Sequence, residues 1–201
     1  VCPFASAGCS SGCLNTAGRG GMIKTGEYTN AIQNARIRRT RFFYSDRQGF
    51  LKQLIKEIAS HESKCKAEGS TPAIRLNGTS DIDWESVFPE LFAMFPDVVF
   101  YDYTKFPINK RTNLPKNYTL TFSRSEANHD QVLENLRADR NVAIVFSTKK
   151  SEELPSQYLG YEVINGDIHD MRFLDPKGVI VGLKAKGDAR KDTSGFVVQV
   201  I

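Results

Sequence analysis

Short apolar segments of strand length, each running into a polar cluster, constrain this chain most. Ala73-Ile74-Arg75-Leu76 ends in Asn77-Gly78-Thr79-Ser80-Asp81, and Val98-Val99-Phe100-Tyr101 ends in Asp102-Tyr103-Thr104-Lys105. Tyr118-Thr119-Leu120-Thr121-Phe122 ends in Ser123-Arg124-Ser125-Glu126, and Val142-Ala143-Ile144-Val145-Phe146 in Ser147-Thr148-Lys149. Later, Val179-Ile180-Val181-Gly182-Leu183 runs into Lys184-Ala185-Lys186-Gly187. Helical stretches, Trp84 to Met94 and Gln131 to Arg137, lie between them. Strands separated by helices argue for an α/β fold with a mainly parallel sheet and crossover connections. Nearly all-apolar strands are those covered on both faces.

In parallel α/β folds, sites are assembled at the carboxyl ends of the strands. Arg75, Asn77, Asp81, Asp102, Lys105, Arg124, Glu126, Lys184 and Lys186 are therefore candidates to line one cavity. The alternative is that polar residues follow strands because loops are solvated. Basic residues in such a cavity favour a small anionic ligand, and its carboxylates can relay protons.

From about Tyr28 to Ala67 the pattern is helical: Phe50, Leu51, Leu54, Ile55 and Ile58 recur on one face, and Asp46 is placed as an N-cap. Phe106 to Asn117 reads as a surface loop. Asn165-Gly166 signals a hairpin after Val163-Ile164. The nearby Asp167, His169 and Asp170 read as a possible metal group or as turn residues.

At 201 residues the chain suits one domain, 1–201, whose first 30 residues form a cysteine- and glycine-rich loop. No apolar run approaches the roughly 20 residues of a membrane helix, so no membrane partner is expected. The opening Val-Cys-Pro-Phe lacks the basic and apolar regions of a secretory leader, and the chain does not begin with Met. The 27 basic residues exceed the 23 acidic ones only mildly, but Arg36, Arg38, Arg39 and Arg41 cluster just before Phe42, Phe43 and Tyr44. Arginines beside aromatics can track a phosphate backbone and stack on bases, which makes nucleic acid a candidate partner. The plain alternative is a helix with solvated arginines.

Three of the four cysteines fall in the first thirteen residues, as Cys2-x6-Cys9-x3-Cys13. Thiolates suit zinc and iron–sulfur clusters. Zinc sites usually pair ligands as Cys-x2–4-Cys, and no second pair follows here. His61, His129 and His169 are scattered. A loop rich in Gly and Ser, whose backbone N–H groups can bond cluster sulfides, makes a [4Fe-4S] cluster the first expectation and zinc the alternative. With Cys65 the site would close at four cysteines; without it, one iron would stay open. Disulfides are disfavoured by the low cysteine count and the lack of a leader.

The stretch from Cys2 to Gly20 resembles the start of a bacteriophage family, the gene product 88 domain. Ile74 to Asp81, Phe100 to Lys105, Phe122 to Glu126, Gly166-Asp167, Asp170 to Phe173 and Gly182 to Gly187 extend the resemblance over almost the whole chain. It implies a viral protein acting in the cytoplasm of the infected host, and it implies no reaction. A second resemblance is to radical S-adenosylmethionine enzymes, which place three cysteines ahead of a partial, TIM-like barrel and leave one iron open. That implies a related fold. Their Cys-x3-Cys-x2-Cys spacing and Gly-Gly-Glu-like stretch are absent here, so S-adenosylmethionine chemistry is not expected.

Overall fold

The computed structural model describes residues 2–200, apart from the side chains of Thr16 and Ile108. The two terminal residues of the expected 1–201 unit, Val1 and Ile201, lie outside the described residues. Seven strands form one sheet: β1 (Ala73–Ile74), β2 (Val99–Thr104), β3 (Tyr118–Ser123), β4 (Val142–Phe146), β5 (Gln157–Tyr158), β6 (Tyr161–Asn165) and β7 (Ile180–Lys184). Their order is β1-β2-β3-β4-β7-β6-β5. Every pairing is parallel except that of β5 with β6. The α/β class and the mainly parallel sheet thus stand as the apolar runs implied. The order is open, with β1 and β5 at its ends, and it establishes no barrel.

The helices are α1 (Ala7–Ser11), α2 (Ala31–Ser45), α3 (Arg47–Ala67), α4 (Trp84–Val87), α5 (Glu90–Met94) and α6 (His129–Arg137). The helical stretch expected from Tyr28 to Ala67 breaks at Asp46. Its N–H donates to Phe42 O, closing α2, while its carboxylate accepts from Gly49 N at 2.8 Å, opening α3. Pro89 likewise divides the expected Trp84–Met94 helix, because proline offers no N–H to continue it.

Side-chain alternation gives the sheet two unlike faces. On one, Phe100 and Tyr118 pack with Leu51, Ile58, Trp84, Leu91 and Phe92 of α3–α5. Phe122, Val142, Ile144, Phe146 and Ile180 pack there with Val132 and Leu136 of α6. The opposite face carries Tyr103, Ser123, Val145 and Leu183, which form the floor of a cavity. At one side of that floor Cys9 of α1 and Val145 of β4 pack against Ala185, Ala189, Phe196 and Val197. At the other, the β6–β7 connection crosses over to β2, with Phe173 against the Tyr101 ring at 5.3 Å between centroids. Among the described residues, no helix is long and apolar enough to cross a membrane.

The expected hairpin at Asn165-Gly166 is corrected. β6 runs parallel to β7, with Asn165 opposite Gly182, and the hairpin turn precedes β6 at Leu159-Gly160. Both turn residues have positive φ, 52° and 82°, as a two-residue hairpin of right-handed twist demands. Gly166 serves close approach instead: a Cβ there would lie 2.5 Å from Val181 Cγ1 and 2.9 Å from Leu183 Cδ2.

Candidate metal centre and cavity

The cysteine loop is fastened from three sides. Ser6 caps α1, its hydroxyl accepting from Cys9 N at 3.2 Å. Glu126, just past β3, then takes hold of that cap: Oε2 accepts from Ser6 Oγ and Oε1 from Gly8 N, both at 2.7 Å. Burial pushes the Glu126 carboxyl up, but hydrogen bonds from Ser6, from Gly8 N–H and from its own backbone N–H together hold it below the usual glutamate range. From α2, Arg36 Nη1 donates to Asn15 O at 2.7 Å and to Asn15 Oδ1 at 2.6 Å, and Gln33 Nε2 donates to Asn15 O and Gly20 O. Cys13 Sγ accepts from Asn15 N at 3.4 Å, and Cys2 Sγ reaches Thr79 O at 3.6 Å across the loop that follows β1.

So placed, Cys2, Cys9 and Cys13 all line one cavity of about 510 Å³, within the size of a small-molecule site. None of them is in a disulfide. Burial raises the Cys2 thiol pKa, and Cys13 and Cys9 lie near enough to add to the rise. Cys65 sits apart: it is buried on α3, with its sulfur 3.5 Å from His61 Nε2, and does not line this cavity. Among the described residues, no three His, Cys, Asp or Glu side chains are gathered closely enough to hold a single metal ion.

Of the residues expected at the strand ends, Arg75, Asp81, Lys105, Lys184 and Lys186 line the cavity with the cysteines. Arg75 donates to Asp170 Oδ2 at 2.6 Å and to Asn77 O, its guanidinium lying over the Tyr103 ring. Lys186 meets Asp167 at 2.7 Å, while the Lys184 ammonium turns away to the carbonyls of Lys150 and Glu152. Lys105 differs: its ammonium donates to Ser123 Oγ at 2.9 Å, and among the described residues no carboxylate pairs with it. Asp81 accepts from Lys105 N at 2.7 Å, and burial raises its pKa.

Asn77, Asp102, Arg124 and Glu126 do not reach the cavity wall; they build what stands behind it. Asn77 shapes the 77–82 loop, its side-chain oxygen accepting from Ser80 Oγ and Ile82 N and its amide donating to Ile82 O. Arg124 Nη1 donates to Gly195 O and Phe196 O, securing the C-terminal segment. Asp102 belongs to the helix-covered face of β2, where it accepts from Asn77 N at 2.7 Å and Tyr118 Oη at 2.8 Å. Arg36 is committed to the cysteine loop, whereas Arg38, Arg39 and Arg41 are exposed. Cavity residues not singled out from the sequence include Tyr103 and Ser123, on the inner side of the strand alternation, and Phe196. Asp167, His169 and Asp170 reach the wall because the β6–β7 connection crosses the sheet.

Burial pushes the Asp102 pKa from 3.8 up to about 7, against the lowering effect of its hydrogen bonds from Asn77 and Tyr118. The folded state therefore holds this proton more tightly than the unfolded chain does. Its contribution is complete below the ordinary aspartate value and is lost as pH rises toward about 7. Urea midpoints across that window should fall with rising pH in the wild type and flatten in Asp102→Asn.

A family model described as Gene product 88 matches residues 1–200. No curated protein and no solved structure matches the chain.

Proposed function

For a chain that belongs to the gene product 88 family of bacteriophages, we propose the function of an iron–sulfur protein in which Cys2, Cys9 and Cys13 hold a [4Fe-4S] cluster. The supporting observation is that these three thiols, brought from a short loop, line one cavity with Arg75, Lys105 and Lys186, while Cys65 lies elsewhere. A four-iron cluster places each cysteine sulfur on a different iron, so its ligands stand farther apart than the donors of one ion. Lys105, which makes no ion pair among the described residues, suits the negative charge of such a group, and three cysteine ligands would leave one iron without a protein thiolate. When bound, the cluster supplies electron transfer or a Lewis-acidic iron.

The chain's own residues give that cavity its selectivity. Arg75, Lys184 and Lys186 spend their donors on protein oxygens, whereas Lys105, steadied by Ser123, keeps its charge for a ligand. A small anion with an apolar portion fits: Lys105 meets the charge, and Val145, Leu183 and Phe196 meet the rest. Asp81, whose carboxyl burial biases toward the protonated form, and the Tyr103 hydroxyl are placed to hold or pass a proton. The site of action in this reading is the cytoplasm of the infected cell, where thiols stay reduced.

The cysteine variants test the assignment. Cys2→Ala, Cys9→Ala and Cys13→Ala should each lose most of the iron and sulfide of the anaerobically purified protein, and Cys65→Ala should keep both. Iron retained by all three N-terminal variants, or lost only with Cys65, would refute the ligand set. Zinc in place of iron in the wild type would make the site structural.

A further inference from the structure

A second surface stands apart from the cavity. Helix α2 buries only Phe43 of its fifteen residues. From Tyr28 to Ser45 the chain has four arginines and no Asp or Glu. The net charge of the whole chain is +4, so the rest of the molecule sums to zero and the excess is concentrated on this helix. One side of α2 is occupied, since Gln33 and Arg36 hold the cysteine loop and Phe43 lies among Phe50, Trp84 and Phe88. Arg38, Arg39 and Arg41 are exposed, and among the described residues no ion pair reaches them.

Helical spacing sets Arg41 beside Tyr44 and Arg38 beside Phe42, whose ring leans on Phe50 of α3 at 5.5 Å, so Tyr44 is the ring left beside the cations on the solvent side. Tyr44 is 61% exposed, and Tyr28, just before the helix, is 96% exposed. An interfacial membrane helix gathers its apolar side chains on one face. On α2 they are dispersed among the arginines, which gives it only a weak apolar face. Positive charge tracking a backbone, with aromatic rings offered between the charges, is the chemistry of single-stranded nucleic-acid binding.

We propose that the exposed side of α2 binds single-stranded nucleic acid, with Arg38, Arg39 and Arg41 on phosphates and Tyr44 stacked on a base. This site is independent of the cluster.

The test is fluorescence anisotropy of a labelled single-stranded oligothymidylate titrated with the full chain at several salt concentrations. Affinity should fall about fourfold for each doubling of salt, as three phosphate contacts on a single strand imply. Arg38→Ala/Arg39→Ala/Arg41→Ala should weaken binding about tenfold or more and remove most of that salt dependence. The corresponding triple lysine variant should keep the salt dependence, and Tyr44→Ala should cost about tenfold without altering it. Far-UV circular dichroism of the variants should match the wild type, since every substituted side chain is exposed. Absent binding at low salt, or equal binding by the triple alanine variant, would overturn the proposal. So would self-association that the triple alanine variant abolishes without any binding of the oligonucleotide, which would assign the surface to a second copy of the chain.

Discussion

Arg172→Ala should lower the free energy of unfolding by about 3–5 kcal/mol, the range found when one partner of a buried ion pair is removed. The Arg172 side chain is 1% exposed and lies 3.3 Å from the Asp175 carboxylate, itself 4% exposed. Its Nη2 donates to His169 O, but Nε and Nη1 make no hydrogen bond, and neither does Asp175 Oδ2. The pair is thus held by charge and packing more than by hydrogen-bond geometry. Removing Arg172 strands the Asp175 carboxylate and opens a void beside Gly166, whose missing Cβ leaves room for the guanidinium. Denaturant unfolding of Arg172→Met, Asp175→Asn and the double variant separates these effects. The double variant should be much more stable than the two single losses summed, because no charge is left unpaired. Simple additivity would show that the pair carries no coupling.

Arg111→Ala should cost a similar amount, about 3–5 kcal/mol, and its deficit should depend on pH. Arg111 emerges from the 106–117 loop, yet its side chain is 2% exposed. It donates to both oxygens of Glu85, from Nε and, at 2.6 Å, from Nη2, and its Nη1 donates to Thr104 Oγ1 at 3.2 Å. Asp83 stands 3.7 Å away and Asp81 3.9 Å. One cation therefore stands among three carboxylates between α4 and the end of β2. Burial already raises the Asp81 and Glu85 pKa values, and Arg111 opposes that rise. Without the guanidinium both would climb further above their unfolded values. The variant would be least impaired below about pH 4 and most impaired near neutrality, because the proton-dependent stability disappears as pH rises through the folded pKa values. Urea midpoints of the two proteins should converge in acid; a constant gap would mean that packing, not charge, is what Arg111 supplies.

The parts of the fold legible in the sequence are those governed by local pattern. Apolar runs such as Val142–Phe146 marked four of the five inner strands, and Asp46 marked the start of α3 through its capping chemistry. The hairpin was misplaced because Leu159-Gly160 carries only half of the usual turn signal, while Asn165-Gly166 carries all of it and serves packing instead. Around the cavity, the three cysteines were visible as a spacing, and Arg75, Asp81, Lys105, Lys184 and Lys186 as strand-end residues. Glu126 and Arg124 share that position but act at a distance, on residues 118 and 72 places away, which no local pattern encodes. Asp167, His169 and Asp170 reach the site through a connection that crosses the sheet with only a short 3-10 turn, Arg172–Leu174, where a parallel strand pair usually has an α-helix.

The central claim is that three cysteines and no fourth hold a four-iron cluster. Its most direct measurement is the iron, sulfide and zinc content of anaerobically purified protein, read with its absorption spectrum before and after mild oxidation. The claim predicts a broad band near roughly 400 nm and about four irons per chain, falling to about three when the iron without a cysteine is released. A colourless protein containing only zinc, or no metal after reconstitution with iron and sulfide, would contradict it.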